Sequence, residues 1–283
     1  MQPKLGILAG GGRLPADIID ICQRTGRSFY VIAFEGQADH GLYDRVPHAC
    51  IRLGAGGKTL KTLRENSVEE IVFAGSIRRP GLAQLRPDLW GIRFLARSGA
   101  MALGDDGMLT TLVRTLEEKE GFRVVGIEDI AQELLAPEGV IGSITPSDNT
   151  RGDIRLAVAA ALELGDKDIG QAAVARNGAV IGLEDAAGTD ALLHRISVLP
   201  DAGRHDDRQG VLAKVAKPQQ ERRADLPTIG VTTVENAARA GLAGIVVEAA
   251  GAIILEREKV AATADQLGLF VLGIHTEEAP ADA

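Results

Sequence analysis

The sequence predicts an α/β chain in two domains, a parallel-sheet domain first and a mixed α/β domain second. Three observations predict it. Short apolar runs alternate with helical segments through residues 5–126. A stretch rich in Pro, Gly, Ser, Asp and Asn, residues 137–150, then breaks the alternation. Beyond it, Asn177-Gly178 lies between two apolar runs, a strong hairpin signal because both positions tolerate positive φ.

Each element follows in order. Residues 5–9 form a short apolar strand, and Gly10, Gly11 and Gly12 form a turn. Pro15 suits the first turn of a helix, where its missing N–H has no partner in any case. That helix runs to Thr25, with Gly26 as a left-handed cap. Residues 29–34 are apolar without a break, as a strand covered on both faces should be. Further strands are expected at 51–53, 70–74 and 123–126, with helices at 58–65 and 108–120. Such alternation implies a parallel sheet covered by helices through right-handed crossovers. The first domain is placed at 1–134, a linker at 135–150 and the second domain at 151–283. There, an alanine-rich helix at 152–164 precedes the hairpin of 172–176 and 179–183. A strand at 211–216 follows, then a helix opened by a Thr232/Glu235 capping box and ended by Gly241. Strands at 245–247 and 253–255, a helix to 267 and a strand at 270–273 complete the chain.

Composition removes several classes of function. The 283 residues are 45% hydrophobic but only 3% aromatic, which leaves little for stacking nucleobases. The net charge of −8 opposes a general nucleic-acid binder, whose affinity comes largely from Lys and Arg on phosphates. Cys22 and Cys50 are too few for a disulfide framework and sit among apolar residues, so two buried free thiols are expected. No apolar run reaches the length of about 18 residues that a membrane-spanning helix needs. The most apolar stretch, 243–255, is broken by Glu248 and Gly251. With no signal-peptide pattern after Met1 and no amphipathic helix read as an anchor, a cytoplasmic protein is expected.

The glycine turn sits between strand and helix, where backbone N–H groups and the helix dipole attract an anion. Arg13 adds a cation, and Glu35 ends the second strand where a Rossmann acid would meet a ribose. The dinucleotide fingerprint wants glycine where Pro15 stands. The pattern therefore serves equally a phosphate cradle or a tight turn needing positive φ. In the second half, Asp190 fits a helix N-cap or a site acid. If 211–216 is a strand, Lys214 shares the face of Leu212 and Ala216, at a rim or aimed into a pocket. Asp225, before Leu226-Pro227, fits a turn or a site carboxylate. Lys and Arg neutralise phosphate, and carboxylates hold a divalent cation or orient water, an inventory suited to phosphoryl chemistry. Asp105-Asp106 offers a further cap or metal position, while His40, His48, His194, His205 and His275 lack metal-ligand spacing. No Gly-x-Ser-x-Gly elbow is present.

These motifs together carry a resemblance. Gly6 to Pro15, Ala74-Gly75-Ser76-Ile77-Arg78-Arg79-Pro80, Gly104-Asp105-Asp106 and Gly188-Thr189-Asp190-Ala191 occur in order. Lys214-Val215-Ala216-Lys217-Pro218 and Arg223-Ala224-Asp225-Leu226-Pro227-Thr228-Ile229-Gly230 follow them. The set resembles the LpxI family of UDP-2,3-diacylglucosamine pyrophosphatases of lipid A biosynthesis. The resemblance implies a Rossmann-like N-terminal domain and a cytoplasmic, Mg²⁺-dependent hydrolase, at the inner-membrane surface. It implies attack of water on the sugar-side phosphorus, giving UMP and 2,3-diacylglucosamine 1-phosphate (lipid X), with the lipid held between two domains. It makes Asp225, Asp190 and Lys214 the catalytic set, with Asp225 and Asp190 on the metal. Gly10, Gly11, Gly12, Arg13, Ser76, Arg78, Thr189, Lys217 and Gln219 are assigned to the substrate. Gln219 stands where the family motif is expected to carry glycine. Alanine-rich helix surfaces such as 157–164 are candidates to line an acyl cavity, and a two-fold homodimer is expected on general grounds. The rivals are a nicotinamide-dependent oxidoreductase built on the glycine turn and a non-catalytic lipid carrier.

Overall fold

The computed structural model describes residues 2–39, 41, 43–78, 85–98, 105–199 and 208–276. The chain divides into two compact units. The first is Met1–Gln132 together with Glu221–Asp225; the second is Glu133–Gln220 together with Leu226–Ala283. Both are α/β, the first with a parallel sheet and the second with a mixed one. Among the described residues no helix is long and apolar enough to cross a membrane.

The first unit is a five-stranded sheet of β1 (Leu5–Ala9), β2 (Phe29–Phe34), β3 (His48–Ile51), β4 (Glu70–Ala74) and β5 (Arg123–Val124). Its order is β3-β2-β1-β4-β5, every pairing parallel, which is the Rossmann order. Helices α1 (Leu14–Thr25), α2 (Gly56–Glu65), α3 (Leu89–Ser98), α4 (Asp105–Glu118) and the short α5 (Ile127–Ile130) join the strands. On one face, α2 and α4 bury Leu60, Leu63, Val113 and Leu116 with Leu8, Ile32, Ile51 and Ile71. Gly26 caps α1 at φ 70°, as its position in the sequence predicts.

The third strand lies three residues earlier than expected. The chain turns after Ile51, with the Ala55 N–H on the Arg52 carbonyl at 2.9 Å. β3 pairs only with β2, so it is an edge strand. Cys50 is exposed on it, which corrects the expectation of two buried thiols. Cys22 is buried on α1, and burial pushes its thiol up to about 11. The last strand stops at Val124 because Gly126 already caps α5, its N–H on Asp129 Oδ2 at 3.1 Å.

The second unit contains β6 (Gly139–Val140), α6 (Arg151–Asp166), β7 (Ala172–Arg176), β8 (Ala179–Leu183), α7 (Gly188–Ser197) and β9 (Val211–Lys214). After these come β10 (Thr228–Ile229), α8 (Val231–Arg239), β11 (Gly244–Glu248), β12 (Ile253–Ile254), α9 (Arg257–Leu267) and β13 (Phe270–Ile274). Six strands form a sheet in the order β6-β13-β11-β9-β7-β8. Its centre, β13-β11-β9, is parallel, and its flanks are antiparallel. The β7–β8 hairpin turns through Asn177 (φ 53°) and Gly178 (φ 74°), as expected. The buried Asp153 carboxylate fixes this turn by accepting both their N–H groups, at 3.0 and 2.8 Å.

Three expectations change here. Residues 137–150, read as linker from their turn-rich composition, contain an edge strand of this sheet. β6 pairs with β13, the Ile141 N–H reaches the Val271 carbonyl at 2.8 Å, and Ala136 and Ile141 join the core. α8 opens two residues earlier than the Thr232/Glu235 pattern suggests, with Gly230 as N-cap and its N–H on Thr233 Oγ1. The alanine face of α6 is core rather than a lipid-facing wall. Ala157, Val158 and Ala161 pack on Ala173, Ala175, Val211, Ala213 and Val246, small side chains that let helix and sheet approach closely. On the opposite face of the sheet, α7, α8 and α9 bury Leu192, Leu193, Ile196, Val234, Ala237, Val260 and Ala264.

Candidate active site

In the first unit the order β3-β2-β1-β4 puts the topological switch point at the carboxyl ends of β1 and β4, where ligands bind in open α/β sheets. Gly10–Gly12 leave β1 there, and Gly75–Arg78 leave β4. The two loops hold each other. The Gly10 N–H donates to the Ala74 carbonyl at 2.8 Å, and Gly11 and Ser76 exchange backbone bonds at 2.8 and 3.0 Å. The Gly12 N–H reaches Asp39 Oδ2 at 3.2 Å, and Gly12 sits at φ 85°. All three glycine amides therefore have acceptors within the protein. A Cβ on Gly10 would lie 2.4 Å from the Ser76 carbonyl oxygen, and one on Gly75 at 2.4 Å from that of Gly11. Loop packing thus accounts for glycine at both positions. Gly10→Ala is expected to cost about 1–3 kcal/mol by forcing these backbones apart. The urea midpoint of the full chain measures it, and an unchanged midpoint would show that the loops part freely.

Around this turn, Arg13 pairs with Asp17 one helical turn away at 2.9 Å. Ser76 and Arg78 are exposed. The Gln37 side-chain amide grips the Arg78 backbone, accepting its N–H at 2.8 Å and donating to its carbonyl at 3.0 Å. Arg79, Pro80 and Gly104 of the sequence motifs, with His40 and His205, lie outside the described residues.

Asp225 was expected among the residues of the second domain, but its segment belongs to the first unit. Arg223 anchors it. The guanidinium forks onto the Glu221 carboxylate with two bonds of 2.9 Å and reaches Glu117 of α4 at 2.8 Å. The fork holds the Glu221 carboxyl below its usual range, and Glu221 in turn raises the Arg223 guanidinium. Ala224 packs against the core of the unit, and its N–H and that of Asp225 both donate to the Glu221 carbonyl, at 2.9 and 3.1 Å. Pro227 keeps Leu226 out of the helical region. The half-buried Asp225 thus ends a tight, charge-clamped turn. Sequence reasoning found Arg223 but not Glu117, which lies 106 residues away and carries no local signal.

In the second unit Lys214 ends β9, on the face of Leu212 as its alternation predicts. Its Nζ donates to the Thr228 carbonyl at 3.0 Å. Beside it, Glu248 ends β11, 7% exposed, and accepts the Ala216 N–H at 3.0 Å. Sequence reasoning noted Glu248 only as a break in an apolar run. Lys217 opens a turn closed by the Gln220 N–H on its carbonyl at 3.1 Å, and the Gln220 side chain accepts the Lys217 N–H at 3.0 Å. Gln219 is exposed and lies outside the positive-φ region, so this turn does not require the glycine expected there. Lys217 Nζ pairs with Asp168 just past α6, at 2.7 Å.

The remaining motif residues sit on α7. Thr189 donates to Glu184 Oε1 at 2.5 Å, and Glu184, 6% exposed, also accepts the Gln171 N–H. Asp190 is exposed and accepts from Asn236 Nδ2 of α8 at 2.8 Å. Lys214 therefore meets Thr228 at the carboxyl end of β9, while Glu248, at the end of β11, holds the Ala216 N–H. Thr189 and Asp190 bind elsewhere, to Glu184 and to α8. Among the described residues no three His, Cys, Asp or Glu side chains cluster as a metal cage.

The chain matches family models in two successive parts. The family model of the LpxI N-terminal domain matches residues 4–134, and that of the LpxI C-terminal domain matches residues 137–272. The UDP-2,3-diacylglucosamine pyrophosphatase LpxI of Caulobacter vibrioides is 45% identical over 280 residues, covering 98% of this chain and 99% of that protein. A solved structure, carboxyaminoimidazole ribonucleotide synthase of Aspergillus clavatus with ATP, covers 61% of this chain and 37% of its own at 10% identity. Its TM-score of 0.22 carries no argument about this chain.

Proposed function

Because the chain belongs to the LpxI family, we propose that it hydrolyses the pyrophosphate of UDP-2,3-diacylglucosamine to UMP and 2,3-diacylglucosamine 1-phosphate. The full-length match to a named pyrophosphatase carries this conclusion. In the reaction the oxygen of water bonds to the sugar-side phosphorus. The bond from that phosphorus to the bridging oxygen breaks, UMP leaves with the bridging oxygen, and the attacking water releases a proton to solvent.

Two groups are assigned to the chemistry. Lys214 places a positive charge at the strand ends, where it offsets the charge gathering on the phosphate oxygens as the bridge breaks. Asp225 presents a carboxylate on a turn that Arg223 and Glu221 hold in place, so it does not have to be ordered when substrate arrives. Mg²⁺ is octahedral, keeps several waters, and is usually held by one or two carboxylates together with substrate phosphates. Asp225, a half-buried carboxylate on a turn held by Arg223 and Glu221, offers the kind of oxygen ligand such an ion takes. Asp225 would hold the ion, and Asp190 is the second carboxylate assigned to it. When bound, the ion would polarise a phosphoryl oxygen and lower the pKa of a bound water. Ser76, Arg78, Thr189, Lys217 and Gln219 are assigned to the substrate. The reading places the protein in the cytoplasm, at the inner-membrane face, as a two-fold homodimer.

The test is product analysis. Purified chain with UDP-2,3-diacylglucosamine and Mg²⁺ is expected to release UMP and the sugar 1-phosphate in equal amounts, and chelation of Mg²⁺ is expected to stop release. Binding of the substrate without release would favour a lipid carrier, and NAD(H) binding would favour an oxidoreductase.

A further inference from the structure

We infer that α3 is a membrane-docking element that rests on anionic lipid. The inference deepens the proposed activity, because a diacylated substrate resides in a bilayer. At about 100° per residue, α3 divides into two faces. Trp90, Gly91, Phe94 and Leu95 turn inward and are half-buried. Leu89, Ile92, Arg93, Ala96 and Arg97 turn outward and are all exposed. Leu89 is 67% exposed and Ile92 51%, so the outward face carries large unburied aliphatic groups. Along that face Ile92, Ala96 and Leu89 form an apolar edge, and Arg93 and Arg97 form a basic one.

The inward face fixes this orientation. The Trp90 and Phe94 rings stack at 5.4 Å, and Trp90 Nε1 donates to Glu120 Oε1 at 2.7 Å. A Cβ on Gly56, at the start of α2, would lie 2.4 Å from the Trp90 ring, so the two helices are in close contact. Asp88 ties them further, accepting N–H groups of Gly57 at 2.7 Å and Gly91 at 2.9 Å. The outward face is therefore held out by the packing beneath it.

Charge selects the occupant. The chain carries a net charge of −8. Within 85–98, by contrast, Arg86, Arg93 and Arg97 are exposed, and the sole acid, Asp88, is half-buried and engaged with amides. Aliphatic side chains beside a row of arginines match an anionic headgroup layer over an acyl boundary.

Flotation of the full chain on vesicles without substrate tests the idea. Binding is expected to phosphatidylethanolamine–phosphatidylglycerol vesicles and to be much weaker with phosphatidylcholine alone. Arg93→Ser with Arg97→Ser is expected to weaken anionic binding about twenty-five-fold, at about fivefold per arginine. Leu89→Ser with Ile92→Ser is expected to weaken it at least tenfold. Both pairs should hydrolyse substrate in detergent micelles at the wild-type rate and lose rate only in vesicles. Failure of the wild-type chain to float, or equal flotation of both variants, overturns the inference. So does a Leu89/Ile92 variant that changes only the oligomeric state, since α3 would then be an interface between copies. Flotation without hydrolysis in micelles would instead strike the proposed reaction and leave the docking surface standing.

Discussion

Asp225→Ala is expected to lower hydrolysis of UDP-2,3-diacylglucosamine by about 10³-fold or more while the substrate still binds. The size follows from the role: charge stabilisation by a carboxylate-held cation is worth several kcal/mol, and each 1.36 kcal/mol is tenfold in rate. Binding survives because removing a carboxylate from a pyrophosphate site also removes a repulsion. The fold survives because the turn is held by Arg223, Glu221 and Ala224 rather than by Asp225 alone. Single-turnover rates with calorimetric binding separate these effects. Asp225→Asn, which keeps the shape and removes the charge, should lose nearly as much. Turnover of either variant within tenfold of the wild type would remove Asp225 from the chemistry.

Lys214→Met is expected to lower kcat by about 10²–10³-fold with only a small change in KM, the range for removing one preorganised donor to developing charge. Methionine keeps much of the lysine stem volume at the end of β9 and deletes the ammonium. The Thr228 carbonyl loses its donor as well, at about 1 kcal/mol of stability. Steady-state kinetics with a thermal melt distinguish the two. A rise in KM with kcat unchanged would make Lys214 a substrate anchor only.

The first unit was legible because its central strands β1, β2 and β4 are largely buried. A continuous run such as Phe29–Phe34 has few alternatives in a soluble chain, and glycine at 26 marks a helix end by backbone conformation alone. The hairpin was legible for the same kind of reason, at Asn177-Gly178. Boundaries failed where a turn formed inside an apolar run, as after Ile51, or where glycine took a cap usually held by a hydroxyl, as at Gly230. The strand Gly139–Val140 was hidden because two residues show no periodicity, and its partner is more than 130 residues later in the chain. Lys214 and Asp225 became candidates because a motif marks them in sequence. Those that act by pairing across the fold, Glu117 and Glu248 above all, have no local pattern to betray them.

The return of Glu221–Asp225 to the first unit governs how the protein can be dissected. A gene fragment ending near residue 134, where the N-terminal family match stops, encodes the whole parallel sheet yet omits five residues of that body. Glu117 would then lack its guanidinium. The complementary fragment would carry Asp225 on a tether with nothing to clasp. Each half thus loses a contact that the intact chain makes, and swapping halves between relatives would require Glu117 from one parent to accept Arg223 from the other.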